Sequence, residues 1–208
     1  MKTKILLVVV VATIFSTTIF AQSKTTFGIR GGVNFQNLNG KDIDGDKLEN
    51  DLKTGFNAGV NAEIPVGIDF YLQPGLLFST KGAKNEIADV EIKRNLSYLE
   101  IPVNFLYKPV LGEGRMILGF GPYAAFAVAG KMKVANNSTD IEFGNEMGET
   151  KRFDAGANLL AGYEFNNRIS FQLNAGLGLL NMYNRPDNDD NTSVTNTGFG
   201  LSVGYRFQ

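Results

Sequence analysis

The chain has 208 residues, 43% of them hydrophobic, with 20 basic and 21 acidic side chains and a formal net charge of −1. That length suits one domain with a full-sized apolar surface, and the balanced charge provides no basic face for phosphate, so no nucleic acid partner is expected. Cysteine and histidine are both absent, which removes disulfides and the usual thiol and imidazole chemistry.

In chain order the first element is a leader. Met1, Lys2, Thr3 and Lys4 make a basic start, Ile5 opens an apolar stretch, and Ala21 supplies a small residue at the cut. This predicts a signal peptide over 1–21 and a mature domain over 22–208. A retained transmembrane helix fits less well, because residues 5–20 are short for a span of roughly 20 residues and include Thr13, Ser16, Thr17 and Thr18.

Beyond Gln22 no run of 18 apolar residues occurs. Instead, apolar residues alternate with small or polar ones, the signature of strands. The alternation predicts strands over 25–36, 54–66, 67–80, 95–108, 114–130, 150–165, 168–182 and 194–207. In 168–182, Ile169, Phe171, Leu173 and Leu177 share one face, while Ser170, Gln172, Asn174 and Gly176 share the other. The last strand sets Phe199, Leu201, Val203, Tyr205 and Phe207 against Gly198, Gly200, Ser202, Gly204 and Arg206. Connections over 37–53, 81–94, 131–149 and 183–193 are long, whereas those near Val66–Gly67, Pro109–Glu113 and Asn166–Asn167 are short. An even strand count with alternating connections predicts an all-β fold: an eight-stranded antiparallel up-and-down transmembrane β-barrel, with short periplasmic turns and longer outer loops.

Alternation alone does not separate this barrel from a soluble ligand carrier, since the two differ only in which face is inside. The less apolar face is dominated by glycine, from Gly28 and Gly32 in the first strand to Gly200 and Gly204 in the last, and small residues suit a narrow, crowded bore. Apart from Lys151 at the start of 150–165, the other face carries no charged residue in any predicted strand. A Lys or Arg facing lipid at the midplane costs about 2–4 kcal/mol, so this is the surface an outer membrane demands. Phe27, Phe35, Phe56, Phe78, Tyr107, Phe153, Tyr163, Phe165, Phe199, Tyr205 and Phe207 fall near strand ends, where aromatic girdles form.

Four segments carry a family resemblance: Phe27–Asn34 (FGIRGGVN), Leu72–Ser79 (LQPGLLFS) with Lys81 and Gly82, Tyr98–Val103 (YLEIPV) and Gly119–Tyr123 (GFGPY). They resemble the PorT-like family of outer-membrane β-barrels from Bacteroidota-type bacteria, whose founding member takes part in a secretion and gliding apparatus. What the resemblance implies is fold and location. The ending Tyr205-Arg206-Phe207 also resembles the aromatic signal read by the barrel-assembly machinery, with Gln208 following it.

The charges assigned to the lumen are Arg30, Glu63, Glu100, Arg115, Arg152, Asp154, Glu164 and Arg206. Ions in a narrow bore must pair, so they are expected to form a structural salt-bridge network, with Glu100 and Arg152 as partners. In the first outer loop Asp42, Asp44, Asp46 and Glu49 surround Gly45, but Lys47 and Lys53 occupy positions where a calcium loop needs glycine and glutamate, so a solvated acidic loop is expected. The fourth loop, Asp187–Asn191, reads the same way.

No catalytic residues, cofactor or metal are expected, and no enzyme. The leading expectation is a small non-enzymatic anchor or interaction component linked to secretion or cell-surface assembly. Its expected partners are outer-membrane lipid and lipopolysaccharide, the barrel-assembly machinery, and a protein met through the outer loops or periplasmic face. The alternatives are a narrow porin-like channel for small solutes and a soluble periplasmic lipid carrier.

Overall fold

The computed structural model describes residues 24–42, 44–87, 90–135, 137–144, 146, 149–184 and 192–207. The leader assigned to 1–21 and the acidic segment Asp187–Asn191 lie outside the described residues.

Among the described residues ten strands follow one another: β1 (Thr26–Lys41), β2 (Lys53–Gly67), β3 (Phe70–Ile87), β4 (Val90–Tyr107), β5 (Val110–Leu111), β6 (Gly114–Val134), β7 (Asn137–Asp140), β8 (Phe153–Glu164), β9 (Ile169–Gly178) and β10 (Ser193–Arg206). All belong to one sheet. Its two closing seams are β1 with β10, in register from Gly28 opposite Arg206 to Lys41 opposite Ser193, and β4 with β6. The closed ring is therefore β1-β2-β3-β4-β6-β8-β9-β10, antiparallel throughout and eight strands around, as the periodicity predicts. Closure leaves the membrane-spanning strands without a free edge. The remaining two, β5 and β7, are short hairpin partners of β6, too brief to show a pattern in sequence.

Four strands stand taller than predicted; one is β1, which runs on to Lys41 opposite Ser193 of β10. From Leu77 opposite Glu100, β3 and β4 pair continuously up to Ile87 opposite Val90, so 81–94, expected as a loop, is the upper half of a hairpin. β6 climbs beside it to Val134. Above the lipid both faces of a strand are wetted, so Lys84, Lys93, Lys131 and Lys133 replace the outward Phe and Leu. The apolar contrast is lost there while the hydrogen-bond ladder continues. In the other direction, β9 stops at Gly178, short of the predicted 182. Met182 instead donates its N–H to the Val194 carbonyl at 2.8 Å and accepts the Lys151 N–H at 2.8 Å.

The bore is filled in layers, and its outer end is apolar rather than polar. Leu38, Ala83, Leu96, Tyr98, Ala127 and Met182 cluster there, with Ile141, Phe143 and Val194 packed against them. Close approach of neighbouring strands also explains particular glycines. A Cβ on Gly121 would lie 2.0 Å from the Val103 carbonyl oxygen of the adjacent strand, a separation no side chain could occupy.

Candidate functional site

Sidedness follows from which rows are covered. Leu173 is 59% exposed, Leu201 53% and Phe120 60%, whereas Asp154 is 0% and Glu63 and Lys108 are each 2%. Large apolar side chains outside and ions inside invert the arrangement of a water-soluble protein. The outward rows end in aromatic contacts at both edges. Phe35 meets Phe199 at 5.3 Å and Phe56 meets Phe78 at 5.8 Å on one side; Phe70 stacks on Tyr107 at 4.9 Å and Tyr163 abuts Phe165 at 4.9 Å on the other. From Phe27 to Phe35 the chain advances roughly 27 Å along the strand, which a tilt of about 40° reduces to about 20 Å of apolar height.

Inside, among the described residues, two ion clusters lie at different heights. At the end bearing the short turns, Lys108 Nζ donates to Glu63 Oε2 at 2.9 Å and to Glu164 Oε2 at 2.8 Å. Arg206 binds the same two carboxylates, reaching Glu164 through Nε at 3.2 Å and Glu63 through Nη2. Gln73 adds an amide donor to Glu63 at 3.2 Å. Towards the outer end, Lys81 Nζ lies 2.9 Å from Glu100 and 3.3 Å from Asp154. Asp154 also accepts from Tyr123 Oη at 3.3 Å and Asn196 Nδ2 at 2.9 Å. The ammonium of Lys81 sits over the Tyr123 ring, 4.3 Å from its centroid. Between the clusters is a polar chamber of about 70 Å³, with Arg30, Asn34, Asn57 and Asn174 among its lining.

Six of the eight charges assigned to the lumen lie in these layers: Arg30 and Glu100 by the chamber, Asp154 above it, and Glu63, Glu164 and Arg206 below. Arg115 is at the rim, bonded to Asp69 and to the Tyr71 hydroxyl, each at 3.1 Å. Arg152 is not in the bore. It precedes β8, is exposed, and lies over the Phe143 ring at 5.1 Å, so the Glu100–Arg152 pairing is replaced by Glu100–Lys81. Lys81 and Lys108, absent from the sequence-based set, are both central. The parity of Gln73, Gly75, Leu77 and Ser79 runs on to Lys81, and this parity is the signal that points to it. In the first outer loop Asp42 Oδ1 accepts the N–H groups of Asp44 and Asp46 at 3.0 and 2.9 Å. No group of three or more potential metal ligands occurs among the described residues.

Residues 20–184 match the family described as "Outer membrane protein beta-barrel domain". The chain belongs to this family. The barrel therefore lies in the outer membrane, in contact with its lipid and lipopolysaccharide. Among solved structures it is similar to Ail, the attachment invasion locus protein of Yersinia pestis, solved with the heparin analogue sucrose octasulfate. Identity is 18% and the TM-score 0.42, over 89% of this chain and 100% of that one. It is also similar to a major outer membrane protein from Thermus thermophilus, at 15% identity and a TM-score of 0.46, again over 89% and 100%. No curated protein matches the chain in sequence.

In an outer-membrane barrel the short turns face the periplasm and the taller strands and loops face outwards. The outer mouth of this one holds a cavity of about 420 Å³ above the apolar layer, floored by Leu38, Leu96, Met182 and Val194.

Proposed function

We propose that the protein is a non-enzymatic, non-conducting component of the cell surface, PorT-like in role, that presents its outer end to a partner in secretion or surface assembly. In this reading residues 1–21 are removed on export, the barrel-assembly machinery inserts the remainder, and the interior charges are structural. The supporting observation is closure of the bore at two levels in series: the Glu63–Lys108–Glu164–Arg206 cluster below, and Lys81–Glu100–Asp154 capped by Tyr98 and Met182 above. Ions so paired are held by each other and are poor ligands for a passing solute. The periplasmic turns are short, so the outer end supplies most of the surface a partner could grasp.

A narrow channel is the second reading, favoured by the polar chamber between the two closures. One experiment separates them. Purified protein reconstituted in planar bilayers should give no steady conductance at moderate voltage, and stable unitary currents would refute the closed-bore reading.

A further inference from the structure

The cavity at the outer mouth has two chemical faces. Its floor is apolar, built of Leu38, Leu96, Met132, Met182 and Val194, with Ile141 on the wall. Its rim carries both signs of charge: Arg94 from β4, and Asp140, Glu142 and Glu149 from the segment between β6 and β8. Arg94 is held between Ala83 of β3 and Met132 of β6 by the strand register. It is exposed, and among the described residues it has no ion-pair partner. A second lobe of about 360 Å³ shares Leu38, Arg94, Met132 and Val194 with the first. The larger volume is in the range of small-ligand sites, which combine an apolar body with a few placed polar groups.

Charge selects among ligands that could cover this floor. A fatty acid would match Arg94 but leave its apolar chain beneath three carboxylates. A cationic amphiphile would match the carboxylates and bring a like charge to Arg94. A zwitterion with an apolar body satisfies both, and the plainest such molecule is a peptide with free termini.

Building on the reading that the outer end is the working face, we propose that the cavity binds a short apolar peptide. Its side chains rest on Leu38, Met182 and Val194, its terminal carboxylate on Arg94, and its ammonium among Asp140, Glu142 and Glu149. A guanidinium suits a carboxylate because it donates two parallel hydrogen bonds.

The test is calorimetric titration of the full-length mature protein in lipid nanodiscs with trileucine, its C-terminal amide, its N-acetyl derivative and the doubly blocked N-acetyl amide. Trileucine should bind one to one. Amidation and Arg94→Gln should each weaken binding about tenfold or more, the scale of a lost charge-assisted hydrogen bond. The two together should weaken it no further than either alone. N-acetylation and the triple variant Asp140→Asn, Glu142→Gln, Glu149→Gln should pair in the same way. Arg94 is exposed, so heat-modifiable migration on gels should show Arg94→Gln folded like the parent. Absence of trileucine binding at millimolar concentration, equal affinity for the doubly blocked peptide, or additive losses would each overturn the proposal. Bilayer recordings keep the two readings apart. Silent membranes without peptide binding sink this inference alone, and steady currents with binding sink the closed bore alone.

Discussion

Replacing Lys81 with methionine isolates the interior network, because the change keeps much of the side-chain volume and removes one charge. Lys81 is 8% exposed and is the cation for both Glu100, 12% exposed, and Asp154, 0% exposed. Without it Asp154 keeps the Tyr123 and Asn196 donors and Glu100 the neighbouring Arg30, but the two carboxylates lose the one cation that touches both in a narrow bore. Breaking a buried pair by removing one partner typically costs about 3–5 kcal/mol, and we expect Lys81→Met to fall in that range. The surface pair Lys93–Glu91, with side chains 42% and 49% exposed, is the control: Lys93→Ala should change stability by about 1 kcal/mol or less. The triple variant Lys81→Met, Glu100→Gln, Asp154→Asn removes the three charges of the cluster and should recover part of the loss, since a neutral interior of similar volume is often as stable as a buried ion pair, although Arg30 beside it then loses the charge of Glu100. The assay is urea unfolding in thin-bilayer vesicles, read by the shift between folded and unfolded gel bands. If Lys81→Met loses no more than Lys93→Ala, or if the triple variant is no more stable than the single one, the account of the bore as a mutually dependent ion cluster is wrong.

Three further outcomes follow from the same architecture. Leu201→Lys, on the lipid face and 53% exposed, should destabilise the barrel in vesicles by about 2–4 kcal/mol; Thr195→Lys on the same strand, above the apolar band, should lie within about 0.5 kcal/mol of the parent. Gly121→Val should cost about 1–3 kcal/mol or more by overpacking, because its Cβ would meet the Val103 carbonyl at 2.0 Å, while Gly176→Ala, whose nearest neighbour would be 3.6 Å away, should unfold at nearly the parent's urea concentration. Met182→Ala removes the 2% exposed cap of the outer layer and should lower stability by about 2–5 kcal/mol. In bilayers it should still be silent, because the lower ion cluster remains closed.

Much of this architecture can be read from the linear pattern. Period-two alternation is a local property, so the eight spanning strands, their lipid face and the girdle residues such as Phe35 and Tyr205 are visible one strand at a time. The upper hairpin of β3 and β4 is not, because where water bathes both faces the hydrophobic contrast that marks a strand disappears although the ladder continues to Ile87 and Val90. Lys81 falls in an expected loop for the same reason. Arg152 has the parity of a lumen residue, but it lies before β8 begins, beyond the wall that would have turned it inward.

Composition and periodicity are enough for the fold, the sidedness and the outer membrane, since a closed sheet in lipid must present uncharged rows outward and satisfy its backbone internally. Which ions meet inside is a different kind of fact. Lys81 and Asp154 are 73 residues apart and Arg206 and Glu63 are 143 apart, and no local pattern carries the register that brings them together. The same holds for the apolar cap and the cavity above it: they exist because β9 ends early and turns Met182 inward beside Asn196, a choice made by packing across the whole ring.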